Sequence, residues 1–211
     1  MEILEEIAAE IEKGDPASVP ALTEKALSQD ISAQDILNKG LVAGMDTISE
    51  RFKKGEIFIP EVLIAAKAMK AGMEIIKPLL AESKVEAKGK VVIGTVKGDL
   101  HDIGKNIVAM LLEGSGYEVI DLGNDVPKEK FLEQVEKERA NVLGMSALLT
   151  TTMTYMREVI ESLEKAGLKQ KVKVIIGGAP LTYSFAEQIK ADGYAPDAAS
   201  AVDLVKDLLN Q

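Results

Sequence analysis

Beyond residue 89 the chain repeats one pattern, a short β-branched run followed by a longer stretch with helical periodicity. The runs are Val91-Val92-Ile93-Gly94, Tyr117-Glu118-Val119-Ile120, Val142-Leu143-Gly144-Met145 and Val172-Lys173-Val174-Ile175-Ile176, with a weaker candidate near Tyr194 and Ala195. Helical stretches at 104–115, 128–139, 152–166, 184–191 and 200–209 separate or follow them. Parallel strands need a crossover long enough to hold a helix, so the alternation predicts a doubly wound parallel sheet of α/β class, flavodoxin-like, with helices on both faces. Ligands of such sheets sit beyond the carboxyl ends of the strands.

The first 80 or so residues obey a different rule, because apolar residues recur there at spacings of three and four. Leu4, Ile7, Ala8 and Ile11 mark a first helix that Gly14-Asp15-Pro16 ends, and Val19, Leu22, Ala26 and Leu27 mark a second. Ser32 with Asp35 three residues on is similar to a capping box, and Ile36, Leu37, Leu41, Met45, Ile48 and Phe52 carry the third helix as far as Gly55. Pro60 suits the start of a fourth, built on Val62, Leu63, Ala66, Met69, Met73, Ile76 and Leu80, with Pro78 near its end. Four helices joined by short turns predict a four-helix bundle over residues 1–82. The polar stretch 83–89 reads as a linker and 90–211 as the α/β domain.

Composition removes several classes of chemistry. The chain has no cysteine, so disulfides, cysteine zinc sites, iron–sulfur clusters and thiol catalysis are absent, and a metal must rely on histidine or carboxylates. The formal charge of −9 divides into −5 over residues 1–89 and −4 over the rest. Neither half offers a basic stripe for phosphates, so no nucleic-acid partner is expected. Apolar runs such as Val62 to Ala66 fall far short of the roughly 20 residues of a membrane span. The acidic start, Met1 to Glu6, lacks the basic and apolar pattern of a secretory signal, and the expectation is a cytoplasmic protein with no membrane contact.

The chain's only histidine lies in Lys97-Gly98-Asp99-Leu100-His101-Asp102-Ile103-Gly104-Lys105-Asn106, directly after the first strand. A neutral imidazole is a good transition-metal ligand, and a carboxylate two residues away can hold its other nitrogen. Asp102 is read as a cap of the helix that follows. Ser146 follows the third strand and Gly177-Gly178 the fourth, which places three suspicious loops on one rim.

Asp99-x-His101-x-x-Gly104, 41 intervening residues, Ser146-x-Leu148, 28 more and Gly177-Gly178 together resemble the signature of cobalamin-binding domains that take the cofactor with its nucleotide base detached. The helical half is similar to the cap domain of the same group, including the Phe58-Ile59-Pro60-Glu61-Val62 start of its last helix. The resemblance is nearest to the small corrinoid proteins of methyltransferase systems and to the cobalamin module of methionine synthase. It implies that the cofactor is cobalamin or a related cobamide and that His101 is the lower axial ligand of cobalt. It implies further that Asp99 bonds the other ring nitrogen and that Thr152 stands at the position of the family's relay serine. The loop Gly98, Asp99, Leu100, His101, Asp102, Ile103 and Gly104 is expected to meet the corrin. Ser146, Leu148, Thr150, Gly177 and Gly178 are expected to line the slot for the displaced tail, and Phe58 to act as a lid residue.

The implied function is a methyl carrier, which accepts a methyl group from a donor methyltransferase acting on a methylamine, methanol, a betaine or an aryl methyl ether. An acceptor methyltransferase then passes the group to a pterin or a thiol, and a reductive activation protein is a further expected partner. No complete activity is expected of the chain alone. A cobalamin-sensing regulator and a detached cobalamin subunit of a radical mutase are the alternatives; the first should bring a basic DNA-binding segment and the second a substrate barrel. Apart from the resemblance, a phospho-receiver needs Asp where Met145-Ser146 ends the third strand, and a flavodoxin needs a hydroxyl-rich phosphate loop after the first.

Overall fold

A computed structural model describes residues 2–82 and 87–210. Part of the expected linker, residues 83–86, lies outside them. The chain forms two compact units, residues 1–87 with 110–116, and residues 88–109 with 117–211. Assigning 110–116 to the helical unit departs from a division confined to 83–89. A β-carbon on Gly114 would come within 3.1 Å of Met45, which shows how closely that segment packs there.

The helical unit contains α1 (Glu2–Lys13), α2 (Ser18–Ser28), α3 (Ala33–Asp35), π-helical turns over Ile36–Val42, α4 (Ala43–Lys53) and α5 (Ile59–Glu82). The stretch from Ala33 to Lys53 occupies the place of the expected third helix. Ser32 caps it, its hydroxyl accepting from the Asp35 N–H at 3.1 Å. The π-helical turns have no signal in the apolar spacing. They lie where the backbone comes close to α1: a β-carbon on Gly40 would be 3.1 Å from Ile7, and one on Gly44 would be 2.8 Å from the Ala8 carbonyl oxygen. Ile7, Ile11, Val19, Ile36, Leu41, Met45, Val62, Ala65 and Ile76 are fully buried, as a bundle core requires. Leu63, expected in that core, is exposed, and it joins Phe58, Ile59 and Ile64 as apolar surface at the start of α5. The buried stripe there runs through Val62, Ala65, Ala68 and Met69, a rotation that leaves Leu63 outside it. Among the described residues no helix is long and apolar enough to cross a membrane.

The second unit is built on β1 (Lys90–Thr95), β2 (Glu118–Asp121), β3 (Val142–Ser146), β4 (Lys173–Gly177) and β5 (Gly193–Ala195), all parallel, in the order 2-1-3-4-5. Between them lie α6 (Ile103–Gly114), α7 (Lys128–Glu138), α8 (Thr150–Met153), α9 (Tyr155–Lys165) and α10 (Tyr183–Gln188), and α11 (Ala198–Leu209) follows. The order reverses at β1, and right-handed crossovers then place helices on both faces. Side chains alternate accordingly. Val92, Leu143, Met145, Val174 and Ile176 share one core with Phe131 and Val135 of α7, Met156, Val159, Ile160 and Leu163 of α9, and Ala186 of α10. The expected helix 152–166 is divided at Thr154 into α8 and α9.

Phe131 decides the packing between α7 and the sheet. It is fully buried, and its ring occupies the space a side chain on Gly94 would need, since a β-carbon there would fall 2.8 Å from the ring edge. Replacing Phe131 by Ala is expected to cost about 3–5 kcal/mol, the loss of a buried aromatic plus the cavity left behind. Urea unfolding of wild type and variant measures it, and a loss below about 1 kcal/mol would contradict this packing.

Candidate functional site

Sheet register brings the three parts of the sequence signature into one row. Thr95 at the end of β1 stands beside Ser146 of β3, Ser146 beside Gly177 of β4, and Gly177 beside Ala195 of β5. The segments Val96–Asp102, Ala147–Leu149 and Gly178–Thr182 leave the sheet from that row. The topology therefore puts the histidine loop at the strand-order reversal, where α/β sheets bind their ligands.

Asp99 organises the loop. Its residue is fully buried, and its carboxylate accepts five hydrogen bonds. Oδ1 takes the His101 N–H at 3.1 Å and lies 2.8 Å from His101 Nδ1. Oδ2 takes the Leu148 N–H at 2.8 Å, the Leu149 N–H at 3.3 Å and the Thr152 hydroxyl at 2.7 Å. Burial alone would push the carboxyl group up. The hydrogen bonds from Thr152, Leu148 and His101 outweigh it and hold the group well below the usual carboxylate range. In the neutral imidazole, an ionised acceptor at Nδ1 selects the tautomer that carries its proton there and leaves the lone pair on Nε2.

The ring of His101 is about half exposed, at 52% of its side-chain area, and Nε2 has no hydrogen-bond partner among the described residues. The Thr95 hydroxyl, itself buried, donates to the His101 carbonyl at 3.0 Å and fixes the backbone beneath the ring. Leu100 and Ile103 flank it in sequence, each 70% exposed, and Leu148 and Leu149 are exposed across the Asp99 bonds. Apolar side chains this exposed around a free imidazole nitrogen mark a surface that a ligand covers. A β-carbon on Gly104 would meet nothing within 4 Å, so there is room above the first turn of α6.

The remaining predicted residues fall as follows. Asp102 stands at the N-cap position, its carbonyl accepting from the Asn106 N–H at 2.8 Å, but its carboxylate makes no capping bond among the described residues. Ser146 is half-buried with no partner for its hydroxyl among the described residues, and Thr150 is exposed in the first turn of α8. Gly178 has a tighter reason than an approaching ligand: at φ +133°, a β-carbon there would lie 1.9 Å from the Ala147 carbonyl oxygen. Gly177 would meet the Ala195 carbonyl at 3.2 Å. Phe58 belongs to the helical unit and is 68% exposed. Sequence reasoning missed Thr95 and the loop Gly123-Asn124-Asp125, which grips the histidine loop through backbone and side-chain bonds. The Gly-Asn-Asp run was the available signal, since those residues favour turns.

Among the described residues no three histidine or carboxylate groups converge to hold a bare metal ion. A metal bound at Nε2 must therefore bring its other ligands with it, as a macrocycle does. The donor set fits a cobamide: one available imidazole nitrogen, an apolar surround, and beside it a free hydroxyl and close-packed glycine backbone.

Comparison with known proteins agrees. Two family models, both described as B12 binding domain, match residues 89–203 and 3–77. Dimethylamine corrinoid protein 1 of Methanosarcina acetivorans is 44% identical over 209 residues, covering 99% of this chain and 98% of that protein. A corrinoid protein of Desulfitobacterium hafniense is 42% identical over 214 residues, covering 100% and 99%. Among solved structures, the methanol:cobalamin methyltransferase complex MtaBC from Methanosarcina barkeri aligns with a TM-score of 0.89 at 35% identity, over 99% of this chain and 80% of that one. A cobalamin-binding protein from Desulfitobacterium hafniense aligns at 0.80 and 33% identity, over 97% and 98%. With both of its units matched by B12-binding models and full-length relatives above 40% identity, this chain belongs to the B12-binding corrinoid proteins, and its cofactor is a cobamide.

Proposed function

We propose that the chain is the methyl carrier of a methyltransferase system, with His101 as the lower axial ligand of the cobamide cobalt. The observation that carries this reading is the Asp99–His101 pair, which holds the ring by Nδ1 and leaves Nε2 without a partner among the described residues at the strand ends. Bound cobamide supplies a metal that can take up and give up a methyl group. The protein supplies the rest. His101 donates its Nε2 lone pair, Asp99 Oδ1 holds the Nδ1 proton, and Thr152, on Oδ2 of the same carboxylate, adjusts how strongly that proton is held. Leu100, Ile103 and Leu148 exclude water around the ring, while Ser146, Thr150 and the Gly177-Gly178 backbone receive the polar and aromatic parts of the displaced tail. We place Phe58 and its exposed neighbours on the helical unit in the role of lid.

The substrates belong to partner enzymes. Relatives named for dimethylamine and trimethylamine, and a neighbour from a methanol:cobalamin methyltransferase complex, support a methylamine or methanol as the methyl donor. The MtaBC complex supports a donor methyltransferase as a direct partner. An acceptor methyltransferase and a reductive activation protein complete the proposed set.

Loading the protein with hydroxocobalamin is expected to give the visible spectrum of a base-off, histidine-ligated corrinoid, and His101→Ala is expected to lose the histidine contribution. Identical spectra would overturn the assignment. With an added low-potential reductant that brings the cofactor to cobalt(I), the loaded chain alone is expected to demethylate no amine or methanol, and to accept methyl groups once a cognate methyltransferase is added. Turnover without that enzyme would contradict the carrier role. In the cofactor-free protein, Asp99→Asn places an amide where five donors expect an anion and is expected to cost about 2–4 kcal/mol. The sign of the pH effect follows from the lowered folded-state value. The carboxylate's contribution is complete above its unfolded value near 4 and fades as the pH falls below it, so wild type should lose its advantage over Asp99→Asn in acid. Denaturant titrations between about pH 3 and pH 7 check this, and a constant difference would refute it.

A further inference from the structure

The loop between β2 and α7 holds the histidine loop at three consecutive residues. Asp125 Oδ1 accepts from the Gly98 N–H at 2.7 Å, the Asp125 N–H donates to the Asp99 carbonyl at 3.0 Å, and the Asn124 side-chain amide donates to the Leu100 carbonyl at 3.3 Å. These are the three residues immediately before His101. The turn they grip is tight, with Gly98 at φ +83°. Asp125 itself stands at φ +51°, in the left-handed region that Asp and Asn tolerate better than other side chains.

The gripping loop is fixed at both ends. Asp121 Oδ1 accepts from the Gly123 N–H at 2.9 Å, while Oδ2 meets Nζ of Lys105, whose side chain is buried. At the other end the Val126 N–H donates to the Thr95 carbonyl at 3.0 Å, and Val126 pairs with Val96 beyond the sheet. A side chain anchored on so firm a base holds its target within a narrow range, which a metal ligand needs.

We propose that Asp125 is a positioning residue for His101. Its carboxylate and its left-handed backbone fix Gly98 to Leu100, so that Asp99 enters the protein beneath the loop while the imidazole presents Nε2 outward. The proposal rests on the reading of His101 as the cobalt ligand. Two features of Asp125 can be separated by substitution. Asp125→Asn keeps a side-chain oxygen and tolerance of positive φ. Asp125→Gly keeps the turn and removes the acceptor.

The test loads full-length wild type and both variants with hydroxocobalamin. Visible spectra, the dissociation constant for hydroxocobalamin and the thermal midpoint of the cofactor-free proteins are recorded. Asp125→Asn is expected to match wild type. Asp125→Gly is expected to keep its thermal midpoint within a few degrees, to show a reduced histidine-ligated fraction, and to bind hydroxocobalamin about tenfold more weakly, as loss of the bond to the Gly98 N–H predicts. A wild-type spectrum and affinity in Asp125→Gly would overturn the proposal, including the case where only the thermal midpoint falls. Equal impairment in Asp125→Asn and Asp125→Gly would overturn it too. A wild-type protein with no histidine-ligated spectrum would instead remove the reading of His101, and this proposal with it.

Discussion

A single buried negative charge holds the functional end of the sheet together. The Asp99 carboxylate draws in the backbone of its own loop, the turn after β3 and the first turn of the following helical segment. An ionised group costs several kcal/mol to bury without partners, so the five donors and the charge are mutually necessary. The same charge determines which imidazole nitrogen of His101 is protonated and therefore which faces outward. The conformation of the loop and the orientation of the imidazole thus depend on one group.

The sequence made the sheet legible because each strand is a compact β-branched run, and buried parallel strands need little else. Asp99, His101, Ser146 and the two glycines were legible through spacing, since strands of similar length bring equivalent positions to one row. Features that depend on distant backbone were not. Nothing in the apolar period of residues 33–53 distinguishes π from α turns, which here include Gly40, where α1 comes close. Leu63 fits the spacing of a buried position yet faces outward, for period alone leaves the stripe's direction open. Asp102 occupies a cap position without capping, and Gly178 is required by the Ala147 carbonyl before any ligand is considered. Asp125 escaped notice because its partners lie 26 and 27 residues away along the chain.

Both units are matched along their length by B12-binding models, whereas substrate chemistry has no counterpart in either. Among the described residues no three histidine or carboxylate groups converge on one point, so the reactive part of such a protein is its cofactor.

The row formed by Thr95, Ser146, Gly177 and Ala195 has a consequence for how such a chain can change. Parallel strands start afresh after every crossover, so the length of each helical excursion is decoupled from the alignment of the strand ends. Residues can be added to or lost from α7, α9 or their approaches without displacing the histidine relative to the serine and glycines. Distances between motifs along the chain are therefore free to drift, while the sheet, acting as a ruler, keeps the distances between them in space.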